Sequence, residues 1–166
     1  MADDLSEQVQ ALAQALQDKA YRVATAESCT GGGIASAFTD LAGSSAWFEC
    51  GFVTYSNKAK ERMLGVCAHT LARHGAVSEE TVRAMVQGAV AHSDANLAVA
   101  VSGVAGPSGG TLAKPVGTVW IAWGDAKQQQ AQCFYFSGDR QAVRQQSVLA
   151  AVRGLLSWLS AKHEAN

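Results

Sequence analysis

The chain has 166 residues, 48% of them hydrophobic, which is enough for one domain with a sizeable core. Thirteen Lys and Arg against fourteen Asp and Glu leave a formal net charge of -1, which argues against nucleic-acid binding through bulk charge. No apolar run is long enough to span a bilayer, and the acidic start MADDLSEQ is unlike a secretory signal, so neither membrane nor export is expected.

Leu5, Val9, Leu12 and Leu16 recur at helical spacing and predict an amphipathic helix after Asp3-Asp4. Arg22 to Ala26, short and partly β-branched, predicts an inner strand. A helix is expected after Gly31-Gly32-Gly33, running to about Leu41, and Gly43-Ser44-Ser45 reads as a small polar turn. Trp47 to Tyr55 has strand character. Ser56-Asn57 offers a helix cap, read here at Asn57, ahead of Lys58 to Leu64, with Gly65 as the stop. A short helix follows at Ala68 to His74. Ser78 caps a longer one, with Glu79 and Glu80 in its favourable first turn and Val82, Met85, Val86 and Ala89 as its buried stripe. Asn96 to Ser102 predicts a buried strand, and Val116 to Trp123 and Ala131 to Phe136 two more around a turn at Gly124-Asp125. The last helix starts near Ser137-Gly138-Asp139 and buries Val148, Val152, Leu155, Leu156 and Leu159. With no repeat, low-complexity tract or linker, residues 1–166 predict a single α/β domain, a three-layer α/β/α sandwich with a mixed central sheet.

Metal chemistry finds no pattern. Cys29, Cys50, Cys67 and Cys133 form no CxxC pair, and His69, His74, His92 and His163 have no zinc-type spacing. No metal or other cofactor is expected, and reduced thiols in the cytoplasm are the default. Lys60 falls in the first turn of its helix, where the macrodipole disfavours a cation and, together with partial burial, lowers its pKa. Such a lysine can serve as a general base toward a hydroxyl, so Ser45, Tyr55 and Lys60 form one candidate constellation. A lone lysine on a surface helix is the plainer reading of the same residue.

Two loops are richer in Gly, Ser and Thr than a connection requires. Ala26 to Gly33 (AESCTGGG) joins a strand to a helix, where bare N–H groups and hydroxyls suit an anion. It is neither a Walker loop nor GxGxxG nor a GxSxG elbow. Ser102 to Gly110 (SGVAGPSGG) follows the buried strand, and both loops meet at one sheet edge if their strands are parallel neighbours. Arg140 and Arg144 share a face at a helix start, against the dipole, which points either to a phosphate or to an ion pair with Asp139 or a glutamate.

AESCTGG, the Gly43-Ser-Ser turn, GFVTYSNKAKERMLGV, GAVSEETVRAM, SGVAGPSGG, KPVGTV and FSGDRQAVR together resemble the CinA C-terminal domain family, in the family's order and over nearly the whole chain. Its stand-alone members are nicotinamide-nucleotide amidases. The resemblance implies hydrolysis of the carboxamide of nicotinamide mononucleotide to nicotinate mononucleotide and ammonia, in pyridine-nucleotide salvage. It also implies a homo-oligomer, a dimer favoured, and longer members carry a further N-terminal domain. The family's Ser–Lys dyad and supporting tyrosine fall on Ser45, Lys60 and Tyr55. Substrate contacts fall on Ser28, Thr30, Gly31, Gly32, Ser102, Gly103, Gly106, Arg140 and Arg144. Ser102 stands where many relatives have threonine, and Gly33 replaces a commoner larger residue. Ser28, on its Gly-rich turn, rivals Ser45 as nucleophile, and Cys29 is a weaker rival. A different class of reading is a nucleotide-binding regulatory module linked to competence or DNA damage, without catalysis; ammonia release separates the two.

Overall fold

A computed structural model gives the structure of the chain and describes residues 2–165. The elements are α1 (Ala2–Asp18), β1 (Val23–Glu27), α2 (Gly33–Thr39), a 3-10 turn (Ser44–Ala46), β2 (Phe48–Val53), α3 (Asn57–Leu64), α4 (Ala68–His74), α5 (Glu79–Ala91), β3 (Leu97–Gly103), β4 (Thr118–Gly124), β5 (Gln129–Tyr135) and α6 (Arg140–Ala165). Helix α1 already includes the two aspartates that sequence reading placed ahead of it.

The strands form one sheet in the order β2-β1-β3-β4-β5. β2, β1 and β3 run parallel, while β4 and β5 return antiparallel, so the sheet is mixed as expected. One face of the sheet carries Val23, Leu97, Val99, Val101, Val119 and Ile121, packed with apolar residues of α1, α2 and α6. The other carries Ala24, Ala26, Ala98, Ala100 and Ala122, packed with Leu64 of α3, Leu71 of α4 and Val82, Met85, Val86 and Ala89 of α5. The alternation of branched and small residues along β1 and β3 therefore decides how closely each helical layer approaches. Alanines admit α5, while the branched face carries the thicker layer of α1, α2 and α6.

Helices α3 and α5 meet at Gly88, where a Cβ would overlap the carbonyl of Leu64. That contact seats α3 on the end of the sheet. Because β1 and β3 are parallel neighbours, the two Gly-rich loops emerge side by side at their carboxyl ends, where ligands of open α/β sheets collect. The β2–α3 connection opens at the same end.

Candidate active site

Helix α3 is capped by Ser56, not by Asn57, for the Ser56 hydroxyl accepts from the N–H of Ala59. Lys60 still falls within the first turn, its N–H bonded to the Ser56 carbonyl. The turn directs the lysine inward, and only 1% of the residue is exposed. Its Nζ reaches the carbonyls of Thr54 at 2.9 Å and Tyr55 at 3.0 Å, and Ser28 Oγ at 3.0 Å. The Ser28 hydroxyl in turn donates to the Tyr55 carbonyl at 3.3 Å. Burial, which disfavours the charged form, pushes the Lys60 pKa down to about 8. Burial, which the sequence argument offered beside the helix dipole, is the main cause of the shift.

Ser45 is elsewhere. It lies exposed in the 3-10 turn ahead of β2, its carbonyl accepting from Arg22 Nη1, while the Trp47 carbonyl accepts from the N–H of Val23. That is the amino end of β1 and β2, whereas Lys60 closes on the carboxyl end. The expected Ser45–Lys60 contact does not form within the chain, because six residues of β2 separate the two ends, about 20 Å of strand. The hydroxyl that Lys60 meets is that of Ser28. Tyr55 contributes its main chain to Lys60, and the residue is 62% exposed.

Glu27, to which sequence reading gave no role, organises the first loop. It is fully buried. Its Oε1 accepts from Thr30 Oγ1 at 2.6 Å and from the N–H of Ile34 at 2.9 Å, and its Oε2 from the N–H of Ala35 at 3.0 Å. Helix α2, whose N-cap Gly32 has no side chain to offer, is capped from a distance by this carboxylate. The start of α2 is therefore not the bare anion cradle expected from the glycines, since the Glu27 side chain already occupies its N–H groups. An acid at the end of a buried strand just before a Gly-rich turn was the signal available in the sequence.

The rest of the loop is tied to its neighbours. The Ser28 N–H donates to the Val101 carbonyl, which sets Ser102 and Gly103 beside it, with Ser102 buried. Gly31 and Gly32 turn the chain at positive φ, 58° and 100°. Cys29 is buried, and burial raises its thiol to about 11, too high for a useful thiolate near neutral pH.

Arg140 and Arg144 lie over the two loops. Arg144 donates from Nε to the Cys29 carbonyl and from Nη2 to the Thr30 carbonyl, both at 3.1 Å. Arg140 donates from Nη1 to the Gly106 carbonyl at 2.7 Å and from Nη2 to the Tyr55 phenol oxygen at 3.3 Å. Asp139 does not pair with either, and its carboxylate caps α6 through the N–H of Ala142. Among the described residues neither arginine faces a carboxylate within ion-pair distance. Both line an open cleft of about 640 Å³ with Ala105, Pro107, Val116 and Asp139. Two cations bonded only to neutral groups, at the rim of a cleft, suit an anionic ligand. Among the described residues, no group of three or more His, Cys, Asp or Glu side chains is placed to hold a metal ion. No helix there is long and apolar enough to cross a membrane.

Comparison with known proteins adds to this geometry. The family model of the CinA C-terminal domain matches residues 5–159. The chain is similar to the nicotinamide-nucleotide amidohydrolase PncC of Pseudomonas putida, 62% identical over 135 residues, which are 81% of this chain and 84% of that protein. The protein of the same name from Escherichia coli strain K12 is 54% identical over 154 residues, 91% of this chain and 90% of that one. A solved structure of a competence-damaged protein (CinA) superfamily protein from Klebsiella pneumoniae matches with a TM-score of 0.91 at 42% identity, covering 95% of this chain and 98% of that chain.

Proposed function

We propose that this chain, which belongs to the CinA C-terminal domain family, is an amidohydrolase that deamidates nicotinamide mononucleotide in pyridine-nucleotide salvage, with Ser28 as nucleophile and Lys60 as its base. The observation that carries the chemistry is the buried contact of 3.0 Å between Lys60 Nζ and Ser28 Oγ. The substrate comes from the relatives' names, and the uncompensated arginines support it.

In the resting site a protonated Lys60 donates to Ser28, whose own proton points to the Tyr55 carbonyl. Once Lys60 is neutral its lone pair accepts the Ser28 proton, and the alkoxide attacks the amide carbon. Thr54 and Tyr55 carbonyls keep the amine oriented through both states. The N–H groups of Ser28, Gly31 and Gly33 are already bonded to main-chain carbonyls, so the oxyanion falls to those of Cys29, Thr30 and Gly32, each such donor being worth ~3 kcal/mol. The ammonium formed on Lys60 then returns its proton to the departing ammonia, and water completes hydrolysis of the acyl-serine. Arg140 seats the phosphate while Arg144 holds the nucleophile loop, so binding energy remote from the amide positions it.

The homo-oligomer implied by the resemblance would give Ser45 a second reading. β2 is an edge strand, and its outer side pairs with no other strand among the described residues. Antiparallel pairing of β2 with β2 of a second copy would carry the Ser45 turn of that copy toward the Tyr55–Lys60 end of this one.

The test is ammonia release from the mononucleotide by the purified protein, with Ser28→Ala and Lys60→Arg beside it. Arginine stays protonated and cannot serve as base. Each change is expected to lower kcat by ~10²–10⁴. Normal kcat in Ser28→Ala with loss in Ser45→Ala would overturn the nucleophile assignment. No ammonia from wild type would overturn the enzyme reading and favour a binding module.

A further inference from the structure

The Ser–Lys chemistry leaves one buried acid unused. Glu27 ends β1 directly before Ser28 and is fully buried. Its side chain holds the loop after Ser28, through Thr30 Oγ1 and the N–H groups of Ile34 and Ala35. Its carbonyl accepts from the N–H of Thr54 at 2.8 Å, and the carbonyl of that same Thr54 accepts from Lys60 Nζ. One residue thus supports both halves of the reacting pair at one remove, the Ser28 loop by its side chain and Lys60, through Thr54, by its main chain.

We infer that Glu27 is the positioning residue of this site: its carboxylate pins the Ser28–Gly33 loop to α2 and so holds the Ser28 hydroxyl within reach of Lys60. The proposal rests on the Ser28–Lys60 reading. Gly31 and Gly32 give the loop little stiffness of its own, and the N-cap of α2 lacks a side chain, so the carboxylate is what fixes the loop against the helix. Two carboxylate oxygens accept all three donors. A glutamine has one carbonyl oxygen, and its amide would set donor against donor at the start of α2. The loop then relaxes, and Ser28 moves away from the lysine by a fraction of an ångström. Misplacement of a reacting group by about 1 Å can cost ~10²-fold in rate.

The experiment compares Glu27→Gln with wild type well below the melting temperature of both. The expected result is a kcat lowered about 10- to 100-fold, a KM changed by no more than about threefold, and a pH–rate limb still near that of Lys60. A double variant Glu27→Gln/Ser28→Ala should be no slower than Ser28→Ala alone, a coupling that general destabilisation does not produce. Turnover in Glu27→Gln within twofold of wild type, or an equal loss in the Ser28→Ala background, would overturn the proposal. If Glu27→Gln does not fold, the Thr30 pair decides. Thr30→Val removes one donor to the carboxylate and should slow kcat several-fold, while Thr30→Ser, which keeps the hydroxyl, should recover most of it. Equal rates in that pair overturn the proposal. If wild type releases no ammonia, labelling of Ser28 by a serine-directed fluorophosphonate replaces turnover as the readout. Glu27→Gln should then slow labelling, and unchanged labelling overturns the proposal independently of the substrate.

Discussion

Lys60 is buried, bonded to three acceptors, and shifted to about 8 because the charged form lacks water. A base of that pKa predicts a definite pH profile. Below pH 8 the neutral fraction, and with it kcat/KM, should rise about tenfold per pH unit, then level off above it. A flat profile between pH 6 and 8 in steady-state assays would exclude Lys60 as the base. The arginines differ in what they hold, and that predicts different kinetics. Arg144 supports the carbonyls of Cys29 and Thr30, beside the nucleophile. Arg144→Ala should therefore lower kcat on nicotinamide mononucleotide and nicotinamide riboside alike. Arg140 bonds only Gly106 and the exposed Tyr55 phenol. Arg140→Ala should raise KM for the mononucleotide several-fold and leave the riboside nearly unchanged; equal effects on both would remove the phosphate from its role.

Placing a lysine amine to within a hydrogen bond of a serine requires that the helix carrying it cannot drift. Helix α3 is held at one end by the Ser56 cap and, at Leu64, by backbone contact with Gly88 of α5. Gly88→Ala must push the two helices apart, costing about 1–3 kcal/mol by overpacking and several degrees of melting temperature. Because α3 moves, kcat should fall as well, even at temperatures where the variant is fully folded. Calorimetry with assays at 20 °C would check both, and normal kcat in a destabilised variant would show that α3 is not the limiting support. Most elements were legible in the sequence for physical reasons. α4 has the limits expected of it, α5 starts after the Ser78 cap as expected, and its predicted stripe is buried. Strand limits slipped by one or two residues at each of the five strands, since pairing partners and not composition end a strand. The contact between Ser45 and Lys60 does not form within the chain for a related reason. Residues flanking a strand are close in sequence and lie at opposite ends of the sheet. The partners of Arg144 and the role of Glu27 depended on which helix start lies over which loop, and no local pattern carries that.

At the scale of the whole chain, parallel β1 and β3 bring together loops more than seventy residues apart, and α6 crosses them with its arginines. The prediction of a three-layer sandwich with a mixed sheet holds because alternating side chains dictate two faces needing cover. The buried ammonium of Lys60 also enters the stability of that assembly. Folding lowers its pKa from 10.5 to about 8, so between those values the unfolded chain binds more protons, and stability must rise with pH. Cys29 acts in the opposite sense. Its pKa goes from 9.0 to about 11 on folding, so above pH 9 the folded chain keeps a proton that the unfolded one has lost, and stability falls. From pH 8 to 9 the lysine contributes about 1 kcal/mol and Cys29 offsets about a third of it, leaving a net rise of about 0.6 kcal/mol, or about 1–3 °C in melting temperature. Calorimetric scans should show that rise in wild type and its disappearance in Lys60→Met; an unchanged slope in the variant would assign the proton elsewhere. The acid side of pH 8 is thus where the chain is both least active and under the full strain of its buried charge. Loss of a single proton arms the nucleophile and relaxes the fold, so turnover reaches its plateau at the pH where heat resistance begins to climb.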